Sequence, residues 1–297
     1  MRNRDLKATQ PDGSSSPAPA GGHPSWEQRR QFLRARLLAS PPEGISPEEI
    51  EAHFACMPAR FWDQVNEADL LWSLQAVHGF LQVVSGSDAP ATKPFVNWRV
   101  APDSRSTQVL LCTWDRHGLL AKAAASFSAA RLSILQAEAF ARSDSIVLIL
   151  FSAVDLTSGS PAPADRLREM LFLLEGALSD PPSFVSVWMC SRHKHLLPPS
   201  QPVPRISFEP VPAEVSIRIC IEADDRLGLL CDILQTLADD GLDITEAHIR
   251  TQGKLAQDVV HVRDATRDKP LSNERLDTLR RKLEAAVTMK TDAQAKT

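Results

Sequence analysis

Several features that would assign a function at once are missing from this chain of 297 residues. No apolar run approaches the roughly 20 residues needed to cross a bilayer; the longest, residues 146–151 continued by Ala153 and Val154, falls far short. The N-terminus carries Arg2, Arg4 and Lys7, but polar residues 9–24 follow where a signal peptide needs its apolar segment, so a cytoplasmic protein is expected. The 5 cysteines (Cys56, Cys112, Cys190, Cys220 and Cys231) are odd in number and form no C-x-x-C pair. A disulfide framework is therefore not expected, and they read as reduced, small hydrophobes. Neither sign of charge dominates: 33 Lys and Arg oppose 37 Asp and Glu, for a net charge of -4. Whole-protein electrostatics thus gives no reason to bind nucleic acid or an anionic membrane. What is present, 43% hydrophobic against 24% charged residues, suits a soluble globular protein of about two domains.

Residues 1–24 mix Gly, Ser, Pro and Ala with too little apolar content to offset ordering entropy, and read as a disordered tail. Residues 25–95 read as a helical segment and linker. Ser46-Pro47-Glu48-Glu49 is a capping box with proline at the first helical position. Leu70, Leu74, Val77 and Leu81 mark a buried helical stripe that breaks in residues 85–94.

Beyond that break the chain repeats itself. Asp115-Arg116-His117-Gly118-Leu119-Leu120 recurs as Asp225-Arg226-Leu227-Gly228-Leu229-Leu230, and the offset of 110 (225 − 115) continues without a gap through Ala137 and Ala247. In the second copy, Val215, Ile217, Ile219, Ile221 and Ala223 alternate with polar residues as one face of a strand. A turn at 225–228 leads into a helix with Leu229, Leu230, Ile233, Leu234, Leu237 and Ala238 on its apolar side, which Gly241 ends. A hairpin over about 244–262 and a second helix through Leu276, Leu279 and Leu283 follow. The first copy runs in parallel, with a closing strand expected at 184–189 that completes a βαββαβ unit. The second copy lacks that strand, and Ile206-Ser207-Phe208 is expected to pair in its place, because a bare sheet edge would otherwise be exposed. The expected domains are 104–192 and 214–290, a linker at 193–213 and a tail at 291–297. The fold class is α+β, with two ferredoxin-like antiparallel modules whose sheets pair edge to edge, within the chain or across a homodimer.

The motif D-R-x-G-L-L between a strand and a helix, followed by a strand beginning Leu-x-Ile, resembles ACT domains. Two copies preceded by the helical stretch 47–62 resemble the C-terminal region of PII uridylyltransferases. That resemblance implies tandem modules that sense glutamine and control nucleotidyl transfer and removal. The catalytic motifs are not recognisable: Gly86-Ser87-Asp88 lacks a partner Asp-x-Asp for magnesium, and His53, His78, His193 and His195 offer no His-Asp dyad. The expectation is a non-enzymatic regulator without cofactor.

The candidate ligand site is the strand-to-helix loop of each copy, where free backbone amides and the helix dipole suit a carboxylate. It comprises Asp115, Arg116, His117, Gly118 and Leu119 in the first copy and Asp225, Arg226, Leu227, Gly228 and Leu229 in the second. The two Asp side chains would take a ligand ammonium, and the two glycines would allow close backbone approach. The bland alternative makes the Asp a cap, the Arg a surface ion-pair partner and the leucines core. Where the resemblance implies a ligand-binding asparagine at the start of the second strand, across an interface between modules, the chain has Ser133 and Asp243. Serine keeps one polar contact, while Asp243 favours an ammonium and repels a carboxylate. Cys190, His193 and His195 lack a fourth ligand, and no metal is expected. The partners expected are a small amino acid, with glutamine the candidate that the resemblance suggests, and a protein that meets the helical segment. The alternatives are a divergent or truncated uridylyltransferase relative that works with separate catalytic domains, or a ligand-free structural adaptor.

Overall fold

A computed structural model describes residues 26–86, 90–179, 204–211, 215–266 and 269–288. The expectations for the tail (1–24), Ser87 and Asp88, the strand at 184–189, the Cys190, His193 and His195 group, and residues 291–297 lie outside that range. Four helices come first: α1 (Trp26–Ala39), α2 (Pro47–Cys56), α3 (Ala59–Gln64) and α4 (Glu67–Ser85). The capping box forms, with the Ser46 hydroxyl accepting from the Glu49 amide and the Glu49 carboxylate accepting from the Ser46 amide. Asn66 caps α4 by accepting from the Asp69 amide at 2.9 Å. No described helix is long and apolar enough to cross a membrane.

The repeats follow as β1 (Phe95–Val100), β2 (Thr107–Trp114), α5 (Leu119–Ala129), β3 (Leu132–Ala141), β4 (Ile146–Asp155) and α6 (Ala164–Leu178). Then come β5 (Arg205–Pro210), β6 (Ile217–Asp224), α7 (Leu229–Asp239), β7 (Leu242–Gln252), β8 (Leu255–Asp264) and α8 (Asn273–Thr288). The eight strands among the described residues join one antiparallel sheet in the order β1-β2-β4-β3-β7-β8-β6-β5. β5, which contains Ile206-Ser207-Phe208, pairs with the edge of β6. The outer edge of β2 is held by β1, a strand not anticipated from the sequence. β1 and β5 begin 110 residues apart (205 − 95), so the edge strand opens each repeat. Its half-buried pattern, with a single packed side, carries too weak an alternation to stand out beside Pro94.

The modules meet inside the chain, where β3 pairs with β7. Glu138 lies opposite His248, its own counterpart at the offset of 110 (248 − 138), so a pseudo-twofold axis passes through that pair. Helices α5 to α8 cover one face of the sheet over a continuous core that runs through both modules. The small Ala121, Ala123 and Ala124 on α5 are all within this core, which lets α5 sit close to its neighbours.

The other face is treated unequally. Over the first module, α1 to α4 bury Leu110, Cys112, Phe140, Ile146 and Leu148 beneath Phe54, Phe61, Trp62 and Phe80. β4 is therefore covered on both faces, which accounts for its unbroken apolar run. β6 keeps strict alternation because only one of its faces is buried. Arg60 of α3 fixes this helical layer to the seam. It donates to the Ala139 carbonyl at 3.2 Å, pairs with Glu246 of β7, contacts His248 and lies over the Phe140 ring. A second anchor is buried: Arg142 donates to His53 Nδ1 at 2.9 Å and forks onto Asp144 at 2.9 and 2.6 Å. His53 Nε2–H then donates to Ser73 Oγ at 3.2 Å, and Ser73 donates to the Leu70 carbonyl. Complete burial, followed by the nearby Arg142 charge, pushes the His53 pKa down to about 3, so the ring is neutral.

Candidate functional site

Each strand-to-helix loop is built the same way. The Asp115 amide donates to the Ser145 carbonyl and the Asp225 amide to the Lys254 carbonyl, both at 2.7 Å, which ties each loop to the hairpin turn of its own module. Gly118 (φ 70°) and Gly228 (φ 81°) then start α5 and α7 from the left-handed region, where an L side chain costs about 1–2 kcal/mol. Each N-cap is a glycine, with no side chain to cap its helix, and the Asp115 and Asp225 carboxyls accept from the backbone amides of Arg116 and Arg226, ahead of the helices. An added Cβ at Gly228 would meet nothing within 4 Å, so at this position backbone conformation, not close approach, requires glycine.

The antiparallel β3–β7 seam sets each loop against the other module's second strand. The first cleft is bordered by Asp115 to Leu119 on one side and by Asp243, Ile244 and Thr245 on the other, and holds about 520 Å³ of non-atom space, part of it open to solvent. The second, of about 390 Å³, sets Asp225 to Leu229 against Ser133 and Ile134. All twelve candidate residues thus border one of two related clefts, six in each and always with a crossover between modules.

Their roles differ. Leu119, Leu227 and Leu229 are buried, and Leu119 and Leu229 belong to the core. The guanidinium groups of Arg116 and Arg226 are held by the last turns of the second helices. Arg116 donates to the Leu178 carbonyl at 3.0 Å, and Arg226 donates to the Ala286 carbonyl at 2.9 Å and to Asp232 at 2.7 Å. Cations suit these helix C-termini, so the surface ion pair considered for Arg116 is replaced by a helix-end contact.

The clefts differ as well. In the first, the His117 ring spans the seam, with Nδ1 3.0 Å from Asp243 Oδ1 and Nε2 2.8 Å from the Ala238 carbonyl. Both partners are acceptors, which favours the imidazolium form, and the ring's pKa is raised chiefly by the hydrogen bond to Asp243. The Asp115 pKa is raised by burial and by the nearby Asp243 charge. In the second cleft Leu227 stands where His117 does, and no ring crosses the seam. Its Asp225 is raised by burial.

Sequence reasoning missed Asp258 of β8, which borders the second cleft with 2% of its surface exposed. Burial first, then the Asp225 charge, pushes its pKa up to about 7. The signal was available: inward positions Ala256, Val260 and Val262 alternate along β8, and Asp258 breaks that apolar series. Among the described residues, no group of three or more His, Cys, Asp or Glu side chains is placed to hold a metal.

Comparison with known proteins agrees with this architecture. Residues 213–290 match the ACR family N-terminal ACT domain. The chain is 26% identical over 264 residues to the bifunctional uridylyltransferase/uridylyl-removing enzyme of Azospirillum brasilense, which covers 87% of this chain and 28% of that enzyme. It is 28% identical over 197 residues to the enzyme of the same name from Rhodospirillum rubrum (63% and 20% covered). For the Aromatoleum aromaticum enzyme the figures are 24% over 238 residues (78% and 25%). The chain spans about a quarter of the length of these relatives. One sheet is thus built from two copies of a ferredoxin-like unit, the second of which matches an ACT domain, in a chain similar over most of its length to part of the bifunctional uridylyltransferase/uridylyl-removing enzymes.

Proposed function

We propose that this chain is a regulatory sensor of a small free amino acid, glutamine being the first candidate, bound at the seams between its two modules. The observation that carries the reading is the pair of clefts in which an uncapped helix start of one module faces the second strand of the other. Such a helix start attracts a carboxylate, and the Asp side chains nearby suit an ammonium; a zwitterion satisfies both. A ligand that touches both modules favours one arrangement of them and shifts the population toward it. Arg60 gives the helical layer a way to read that arrangement, because it holds Ala139 of one module and Glu246 of the other. Phe32 and Trp26 on the exposed side of α1 suit a surface that meets a partner protein.

In this reading the chain regulates without chemistry of its own. A thermal-shift screen over the protein amino acids tests it, since a ligand at about 100 times its Kd adds about 2.7 kcal/mol of stability. Silence for every compound would favour a ligand-free adaptor. A second reading has the chain act with catalytic domains supplied separately, and is favoured by similarity that extends over 87% of the chain, beyond the matched ACT domain. Transfer of UMP to a PII protein, assayed with candidate catalytic subunits, tests it; persistent inactivity counts against it.

A further inference from the structure

We propose that Asp258 is a specificity-determining residue that receives a ligand's ammonium group in the second cleft, so that the two related clefts differ in what they recognise. The inference rests on reading the clefts as amino-acid sites. Its starting point is a carboxyl group where the fold calls for a hydrocarbon. Asp258 lies opposite Ile249 in the β7–β8 pair, and the counterpart in the first module is Ile149, which lies opposite Ala139. Both positions point into the same kind of cleft, since Ile149 borders the first and Asp258 the second. Ile149 packs in the core. Asp258 Oδ1 is buried and has no hydrogen-bond partner. A buried acceptor left unmade costs stability that an isoleucine would not cost, and departures of this kind concentrate where a site must serve something other than folding.

Among the described residues, no cation neutralises the position. Arg226, which also borders this cleft, is occupied by Asp232 and the Ala286 carbonyl. From the neighbouring strand only the Arg250 backbone amide supports the charged form, while Asp225 on the loop adds a second negative charge. The cleft therefore offers two carboxyl groups, one at depth and one on the loop, beside the uncapped start of α7 and within reach of Ser133 across the seam. An amino acid fits these elements with its ammonium toward Asp258 and Asp225 and its carboxylate toward the amides of the first turn of α7. The arriving ammonium favours ionised Asp258, so binding near neutral pH releases a proton from that carboxyl group. The first cleft has Ile149 at this depth and the His117 ring across its mouth, so it lacks the same receptor.

The experiment is titration calorimetry on the full chain with L-glutamine and the other protein amino acids. The N-acetyl derivative of each binder is included because it lacks the ammonium, and magnesium chloride is included as a bare cation. Each titration is run in two buffers of different ionisation enthalpy. An amino acid should bind with proton release. Its N-acetyl form and the Asp258→Asn variant should bind roughly 10- to 100-fold more weakly, the range expected for loss of a hydrogen bond to a charged group. Proton release should vanish in Asp258→Asn and in Asp258→Ile, which copies the first module. Binding to both variants with unchanged affinity, stoichiometry and proton release would overturn the role of Asp258 and leave the sensor reading intact. A response to magnesium with none to any amine would also overturn it, and silence for every amino acid in the unaltered chain would overturn both. The N-acetyl comparison needs no variant, so a failure of Asp258→Ile to fold does not block the test.

Discussion

Replacing Asp258 by asparagine should stabilise the ligand-free protein at neutral and alkaline pH and do so far less in acid. The carboxyl group has a pKa of about 7 when folded, against an ordinary value of 3.8. Below about pH 4 both folded and unfolded chains hold the proton, and ionisation contributes nothing. As the pH rises, the unfolded chain releases its proton first, so stability is lost at about 1.4 kcal/mol per pH unit until the folded pKa is passed. A difference of about 3 units then gives a penalty of about 4 kcal/mol, fully developed above about pH 8. Asparagine has a similar shape and cannot ionise. Any cost of its buried amide is the same at every pH, so the change in the mutant effect between about pH 4 and pH 8 isolates the carboxyl group. Urea unfolding of both proteins across that range, followed by tryptophan fluorescence, measures it. Parallel stability curves would refute the reasoning, because they would mean that Asp258 ionises in the folded protein as readily as in the unfolded chain.

His53 should act with the opposite slope. Its pKa is about 3 when folded against 6.5, so acidification below about pH 6.5 protonates the unfolded chain first and removes stability; His53→Gln should flatten that loss in urea titrations, and an unchanged slope would contradict it. His117 should titrate above 6.5 in a proton–carbon NMR experiment, with its contribution to stability present below about pH 6.5 and lost as the pH rises through the raised value. Because the ring is half exposed, that contribution should stay under about 1 kcal/mol. A His117 pKa at or below 6.5 would remove the bridge across the first cleft. A Cβ at Gly79 of α4 would overlap the Phe95 ring, so Gly79→Val should cost about 1–3 kcal/mol by forcing α4 and β1 apart, and wild-type thermal stability in that variant would show the contact to be slack.

The duplicated unit was legible because its signals are local. A strand with alternating apolar residues, a glycine that opens a helix and a leucine stripe each declare themselves within about ten residues, and an exact offset of 110 (225 − 115) repeats them. The capping box at Ser46 was legible for the same reason. β1 was not, because a half-buried edge strand takes its stability from the backbone pairing offered by β2, which leaves little trace in its own sequence. The helix-end contacts of Arg116 and Arg226 were not legible because the carbonyls that hold their guanidinium groups lie about 60 residues further along the chain.

By itself, then, the sequence determined the two modules, the residues at their loops and the helical stretch before them. Only the tertiary structure decided that β3 meets β7 within one chain, and therefore that the loop at 115–118 faces Asp243 while the loop at 225–228 faces Ser133. It also decided that His117 closes one cleft and that Asp258 borders the other with its Oδ1 left without a hydrogen-bond partner. The physical reason is that periodicity records which face of an element is buried but not which element lies against it. The charge state and availability of a side chain are set by that neighbour.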